Sequence, residues 1–178
     1  IVRGLESVRA VPGRFEVVSR AGEPQVIVDY AHTPDALTQA LGAAREITTG
    51  RLLCVFGCGG DRDRTKRPMM GAAAAAAADW VLVTSDNPRS ESPAAIAAAI
   101  EVGLTQAGAC PVGSSAARGY AIELDRATAI RLAIAAAGSQ DTVLIAGKGH
   151  EGYQIVGAQT LKFDDRVYAR AVLDEVTR

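Results

Sequence analysis

The sequence predicts an α/β fold in which a mainly parallel sheet is flanked by helices on both faces and preceded by an N-terminal β-hairpin. Two observations predict it. Short apolar runs typical of buried strands alternate along the chain with longer stretches of helical composition, and most of these runs end in glycine or polar residues. A length of 178 residues suffices for one such domain with a full core.

The hairpin is predicted near the start of the chain. Residues 14–19 alternate between polar and apolar, residues 21–24 have turn chemistry, and residues 25–31 form a more apolar second strand. Residues 1–13 have no clear period and end in a Pro-Gly turn signal. We therefore interpret residues 1–13 as the end of a preceding domain and a hinge.

Strands and helices alternate in the rest of the chain. Thr33 and Pro34 supply a cap and a proline at the first helical position, and Ser92-Pro93 and Asp125 are start signals for two later helices. The elements predicted after the hairpin are, in order, a helix 34–50, a strand 51–56, a helix 65–78, a strand 80–84, a helix 93–107, a short strand 110–112, a helix 126–137, a strand 142–146, two strands 153–156 and 160–163, and a closing helix 165–176.

Composition and charge indicate a soluble protein with a small partner. The hydrophobic fraction is 48%, the charged fraction is 22%, and the net charge of −1 gives no reason to expect nucleic acid or an anionic membrane as partner. Because no run is long enough to span a bilayer and no signal peptide is present, we expect a cytoplasmic protein. Ile1 is not a start methionine, so we expect a piece of a longer chain.

The three cysteines predict reduced thiols. Cys54, Cys58 and Cys110 are odd in number and lack C-x2-C spacing. A zinc site completed by His32 and His150 is an alternative that the spacing does not favour, since neither histidine has a neighbour at the usual ligand spacing.

Four polar segments follow predicted strands and are candidates for a binding site. They are residues 29–34, 57–66, 85–89 and 147–151. Ligands of open parallel sheets bind outside the carboxyl ends of the strands, so these segments should converge. They combine arginine and lysine, which bind carboxylates or phosphates, with aspartate, glutamate and asparagine, which accept from ammonium or hydroxyl groups. This mixture predicts a zwitterionic ligand.

Each segment also has a purely structural interpretation. Arg62 and Arg64 alternate with Asp61 and Asp63, and these charges could merely pair with one another at the surface, where such pairs contribute little. Residues 86–88 could be a capped turn, and the Gly-Lys-Gly-His segment could be a plain anion-binding nest. No Walker A sequence occurs in the chain, so no ATP phosphate site of that type is predicted.

Five motifs together carry a resemblance to a known family. In chain order they are DYAHTPDAL, FGCGGDRDRTKRPMMG, TSDNPR, AGKGHEGYQIV and FDDR. They resemble the C-terminal domain of the Mur ligases, and among these the ligases that add meso-diaminopimelate. The family enzymes have three domains. The resemblance therefore implies that residues 1–13 end a central ATPase domain and that residues 14–178 form a Rossmann-like C-terminal domain.

The family reaction implies the ligands of the complete enzyme. ATP phosphorylates the D-glutamyl carboxylate of UDP-MurNAc-L-Ala-D-Glu, and the amino group of diaminopimelate then displaces phosphate in a step of peptidoglycan synthesis. The P-loop and the magnesium ligands of the family lie in the central domain. For this chain alone, the resemblance implies a monomer that packs on the other two domains, with no metal site, no bound cofactor, no assigned catalytic residue and no activity by itself.

The resemblance also implies which residues bind the ligands. Asn87 and Arg89 are expected on the carboxylate at the far stereocentre, Arg62 on the second carboxylate, and the carbonyl of Gly147 and the side chain of Glu151 on the ammonium group. In full, the diaminopimelate residues are Arg62, Asp86, Asn87, Pro88, Arg89, Gly147 and Glu151, and the residues expected to reach ATP at the interdomain face are Arg14, Asp29 and His32. One departure is Gly152, where the family often has an acidic residue.

Two other functions fit part of the sequence. One is a ligase of the same superfamily with another amino acid, such as the lysine-adding type or a folylpolyglutamate synthase. Lysine has no far carboxylate, so it would leave Arg89 without a partner. The other is a non-catalytic module that retains only the amino-acid pocket.

Overall fold

The structure of the protein is a computed structural model that describes residues 11–112 and 119–176. The strands are β1 Glu16–Val17, β2 Gln25–Asp29, β3 Leu52–Phe56, β4 Trp80–Val83, β5 Cys110–Pro111, β6 Gly119–Ile122, β7 Thr142–Ala146, β8 Tyr153–Val156 and β9 Gln159–Lys162. The helices are α1 Pro34–Ile47, α2 Lys66–Ala77, α3 Pro93–Gln106, α4 Arg126–Ala136 and α5 Asp165–Val176.

The first seven strands form one sheet in the order β1-β2-β7-β3-β4-β6-β5. Strand β1 is antiparallel to β2, and every other pair in this sheet is parallel. Strands β8 and β9 form a separate antiparallel hairpin. The predicted mainly parallel sheet with an N-terminal hairpin is therefore confirmed.

Helices bury both faces of this sheet. Along β3, Leu52, Cys54 and Phe56 pack in a core with α1, α2 and α3, while Leu53 and Val55 pack in a second core with α4 and α5. This alternation follows from the two-residue period of a strand, and the continuous apolar composition of β3 follows from its burial on both sides. The predicted cover on both faces is confirmed.

Strand β1 is shorter than the predicted strand 14–19. Phe15 has a positive φ of 46°, which is outside the range of an extended strand. At the other end, the hydroxyl of Ser19 accepts from the N–H of Val26 at 3.0 Å, so a side chain replaces a ladder bond there. Residues 1–10 of the predicted hinge lie outside the described residues.

Strand β6 is not among the elements that the sequence predicts. It covers Gly119–Ile122 and pairs with both β4 and β5. Only Tyr120 of its four residues is buried. Its short run, which begins with glycine, therefore lacks the dense apolar pattern that identified β3 and β7.

The cysteine prediction is confirmed, since all three thiols are free. Cys54 and Cys58 are buried, and burial raises the pKa of each thiol to about 12. Within residues 11–112 and 119–176, no group of three or more histidine, cysteine, aspartate or glutamate residues is placed to hold a metal ion. Nor is any helix of those residues long and apolar enough to cross a bilayer.

Glu23 and Arg170 form an ion pair that makes a pH-dependent contribution to stability. Two hydrogen bonds of 2.6 and 2.7 Å from Arg170 lower the pKa of Glu23 from 4.5 to about 2. A lowered pKa in the folded state stabilises the fold above pH 4.5, and this contribution is lost as the pH falls from 4.5 towards 2.

We expect Glu23→Gln to have a smaller loss of Tm between pH 5 and pH 3 than the wild type, measured by thermal unfolding. Equal losses in the two proteins would contradict the assignment.

Candidate functional site

A polar cleft of about 500 Å³ lies at the carboxyl ends of β2, β3, β4 and β7. The structure thereby brings all four polar segments of the sequence together. The cleft is lined by Tyr30, His32, Thr33, Gly57, Cys58, Gly59, Arg62, Asp63, Lys66, Asp86, Asn87, Arg89, Gly147, Glu151 and Tyr153.

Seven of the ten candidate site residues line this cleft. Pro88, Arg14 and Asp29 do not. Pro88 is buried behind it, where its carbonyl lies so close to Gly60 that a Cβ at position 60 would overlap it.

The side chains of Arg62 and Arg89 both lie next to Gly59. A Cβ built at position 59 would be 3.0 Å from Nη1 of Arg89 and 3.6 Å from Cγ of Arg62. Within the described residues, the hydrogen bonds of the Arg89 side chain run through Nη1, which donates to the carbonyls of Gly60 at 2.8 Å and Asn87 at 3.3 Å. One guanidinium nitrogen thus anchors the side chain of a residue that lines the cleft.

Asn87 connects three segments around the cleft. Its Oδ1 accepts from Nζ of Lys148 at 3.1 Å and from the N–H of Ile155 at 2.9 Å, and its Nδ2 donates to Glu151 at 3.1 Å. Only 3% of the residue is exposed. The sequence predicts Asn87 on a ligand carboxylate but does not predict these internal bonds, which join the DNPR loop, residues 86–89, to the segment after β7.

Strand β8 pairs with the DNPR loop, and no local pattern in the sequence predicts this pairing. The side chain of Gln154 donates to the carbonyl of Asp86 at 2.9 Å. The N–H of Arg89 donates to the carbonyl of Ile155 at 3.1 Å, and the N–H of Gly157 donates to the carbonyl of Arg89 at 2.8 Å. These bonds hold Arg89 at a φ of 52°, a left-handed conformation that is unfavourable for a non-glycine residue.

A fully buried ion pair, Arg126–Asp165, contacts the backbone at the ends of the strands that lead into the cleft. Arg126 on α4 donates to both carboxylate oxygens of Asp165 at 2.8 and 2.7 Å, and neither side chain is exposed. The same guanidinium donates to the carbonyl of Ala146 at 3.1 Å, where β7 ends, and to that of Ser85 at 3.4 Å. Asp165 belongs to the FDDR motif, but no pattern in the sequence pointed to Arg126 as its partner.

Asp86 and Gly147 approach each other at the floor of the cleft. Burial raises the pKa of Asp86, and the charges of Arg126 and Lys148 oppose that shift. Gly147 has a φ of 117°, and a Cβ there would lie 2.8 Å from Oδ2 of Asp86. Only glycine therefore fits at position 147.

The three candidate ATP residues gather around Tyr30. The guanidinium carbon of Arg14 lies 4.5 Å from the centre of the Tyr30 ring, and the ring of His32 lies 4.6 Å from it. The carboxylate of Asp29 accepts from the N–H of Phe15 at 2.7 Å and from that of Ala31 at 2.8 Å. Asp29 therefore fastens the turn that carries Arg14 to the end of β2.

A match to a known family accompanies this geometry. Residues 13–149 match the family model described as Mur ligase, glutamate ligase domain. The chain belongs to the Mur ligase family.

The curated relatives of this Mur ligase domain are longer than the chain itself. The chain is 55% identical over 166 residues to the UDP-N-acetylmuramoyl-L-alanyl-D-glutamate–2,6-diaminopimelate ligase of Synechococcus elongatus, covering 93% of this chain and 31% of that relative. It is 51% identical over 169 residues to the ligase of the same name from Coxiella burnetii, covering 95% of this chain and 32% of that relative. The chain thus spans about a third of the length of these relatives.

Solved structures show the same domain. A structure of a ligase of that name has a TM-score of 0.82 and 41% identity, covering 99% of this chain and 34% of that one. A folylpolyglutamate synthase/dihydrofolate synthase with manganese, AMPPNP and L-glutamate bound has a TM-score of 0.56 and 28% identity, covering 78% of this chain and 29% of that one.

Proposed function

We propose that this chain is the amino-acid-binding domain of an ATP-dependent ligase that adds meso-diaminopimelate to UDP-MurNAc-L-Ala-D-Glu in peptidoglycan synthesis. The observation that carries the proposal is that Arg62 and Arg89 share one cleft with Glu151 and Asp86. Relatives named for this reaction, at 55% and 51% identity, support it.

The charges of the cleft match those of diaminopimelate, which has two carboxylates and two ammonium groups. A guanidinium fork binds a carboxylate through two parallel hydrogen bonds, and two such forks suit two carboxylates. Glu151 and the carbonyl of Gly147 accept from an ammonium group. Lysine has one carboxylate fewer, so it would leave an arginine of the cleft unpaired at a cost of about 1–3 kcal/mol.

The residues around Tyr30 form the part of the domain that we assign to ATP. Arg14 and His32 offer nitrogen donors, and Asp29 keeps Arg14 beside the cleft by holding the neighbouring N–H of Phe15. ATP supplies the activation of the D-glutamyl carboxylate by phosphorylation. The P-loop that holds its phosphates, and the ligands of its Mg²⁺, belong in this proposal to a central domain outside the chain.

The chemical contribution of this domain is orientation. Holding an amino group against an activated carboxylate removes much of the entropic cost of bringing two reactants together. We assign no acid or base side chain to the reaction. In the complete enzyme, which we expect to be a cytoplasmic monomer, the domain packs on the central and N-terminal domains.

The proposal is tested by comparing substrates and chain lengths. In the complete ligase that carries this chain, we expect amide formation with meso-diaminopimelate and a kcat/KM about 10- to 100-fold lower with lysine, because an arginine left without its carboxylate costs about 1–3 kcal/mol. The chain by itself, given ATP, the UDP-linked dipeptide and diaminopimelate, should release no phosphate. Equal use of lysine would contradict the assigned substrate, and binding of diaminopimelate without turnover by the complete protein would indicate a non-catalytic module.

A further inference from the structure

Two loops carry the arginines of the cleft, and they touch each other directly. The first arginine loop comprises residues 57–65 with Arg62, and the second comprises residues 85–92 with Arg89. The N–H of Gly60 donates to the carbonyl of Asn87 at 2.9 Å, and Nη1 of Arg89 donates to the carbonyl of Gly60 at 2.8 Å. The backbones of the two loops are therefore in contact beside the cleft.

Glu91, at the end of the second arginine loop, binds the first loop and the helix that follows it. Its carboxylate accepts from both terminal nitrogens of Arg67 at 2.9 and 3.1 Å and from the N–H of Asp61 at 2.7 Å. Nε of Arg64 lies 3.3 Å from it. The side chain of Arg67 is 4% exposed, and its hydrogen bonds lower the pKa of Glu91 to about 2.

Two charged side chains of the first loop, Asp61 and Arg64, contact the second loop. Asp61 binds the hydroxyl of Ser90 at 2.7 Å and its N–H at 3.2 Å, while Arg64 pairs with Glu91. The interpretation in which the arginines of DRDR merely pair with their neighbouring aspartates is wrong for Arg64, which pairs with Glu91 instead. Arg62 donates to the backbone carbonyl of Asp61 at 3.0 Å, and Asp63 accepts from Thr65 within the first loop.

Each loop also contains a residue with a strained backbone, located at or directly before its cleft-lining arginine. Asp61, which precedes Arg62, and Arg89 itself both have a φ of 52°. Non-glycine residues persist in this conformation only where surrounding contacts hold them. For Asp61, those contacts are Glu91 and Ser90.

We propose that Glu91 is a positioning residue that fixes the spacing between Arg62 and Arg89 and thereby selects amino acids by the separation of their two carboxylates. Glu91 is not among the residues that line the cleft, so it acts through the loops rather than on the ligand. This inference rests on the proposed function, because it assumes that both arginines bind carboxylates.

The test is Glu91→Gln in the complete ligase, with Glu23→Gln as matched control. Glutamine keeps the size of Glu91 and an acceptor for Asp61, but it removes the charge that holds Arg67. Glu23 is likewise held by two hydrogen bonds from one arginine and has a pKa of about 2, but it pairs with Arg170 on α5, away from the cleft.

We expect Glu91→Gln to raise the KM for meso-diaminopimelate about tenfold and to leave the KM for ATP within about twofold, since small misplacements of binding groups weaken one substrate selectively. The preference for diaminopimelate over its longer homologue 2,7-diaminosuberate should fall. Glu23→Gln should change none of these values. Glutamine still offers an acceptor to the N–H of Asp61, but the charged pair with Arg67 no longer holds it in place, so hydrogen exchange at this N–H should be faster in Glu91→Gln only.

Several outcomes overturn the inference. The first is an unchanged KM for diaminopimelate in Glu91→Gln, the second is an equal rise in the KM for ATP, and the third is the same kinetics in Glu23→Gln. Each would mean that Glu91 forms an ion pair with Arg67 but does not position the arginines of the cleft. If Glu91→Gln does not fold, Ser90→Ala replaces it, because this variant removes only the hydroxyl bond to Asp61. A wild-type enzyme that does not use diaminopimelate would instead refute the proposed function, whereas the exchange measurement would still decide whether Glu91 holds the loop.

Discussion

Replacing Arg89 by lysine should reduce kcat/KM for meso-diaminopimelate by about 10- to 100-fold, because a hydrogen bond to a charged group contributes about 1.5–3 kcal/mol. Lysine keeps the positive charge but has no planar fork. It also cannot reproduce both the anchor of Nη1 on Gly60 and a two-point contact with the ligand. The KM values for ATP and for the UDP-linked dipeptide should remain close to those of the wild type.

Steady-state kinetics of the complete ligase with each substrate varied in turn measures this effect. Arg131→Lys is the control, because Arg131 pairs with Glu175 on the surface of α4 and α5 and its side chain is 44% exposed. This control should leave all three KM values unchanged. If Arg89→Lys behaves like Arg131→Lys, Arg89 does not bind the amino acid.

Replacing Asp165 by asparagine should lower the free energy of unfolding by about 3–5 kcal/mol, because it leaves the buried guanidinium of Arg126 without its counter-charge. The loss should spread to the cleft, since Arg126 also holds the carbonyls of Ala146 and Ser85. Urea denaturation of the protein measures the change. The control is Asp174→Asn on the same helix, whose exposed carboxylate pairs with Arg20 and Arg170 and should contribute less than about 1 kcal/mol.

A double substitution separates the loss of a partner from the loss of packing. If Arg126→Met is combined with Asp165→Leu, no buried charge remains, and much of the stability should return. Equal effects of Asp165→Asn and Asp174→Asn would mean that the Arg126–Asp165 pair contributes no more than a surface pair.

The order of strands and helices and the four segments of the cleft follow from local patterns that the sequence contains. Continuous apolar runs such as β3 and β7 are recognisable as buried strands in the sequence, and a sheet of parallel strands brings their carboxyl ends together. Strand β6 is not recognisable in this way, because only one of its residues, Tyr120, is buried, and a single buried residue produces no alternating apolar pattern.

Long-range polar partners cannot be predicted in this way. Asn87 looks like a ligand-binding residue in the sequence, and its bonds to Lys148, Glu151 and Ile155 depend on how β8 docks. Arg126 lies 39 positions from Asp165, in a helix start that resembles any other. Such pairs are specified by tertiary packing, which has no local signature.

The position of β7 between β2 and β3 has a consequence for how the domain folds. Strands β2 and β7 pair although Gln25 and Thr142 are 117 positions apart in the sequence. The centre of the sheet therefore cannot form before a late part of the chain is in place, and such distant pairings slow folding. Until β7 arrives, the edges of β2 and β3 stay open to other chains. The segment with Gly147 and Glu151 follows β7 directly, so the cleft is completed only when the sheet closes.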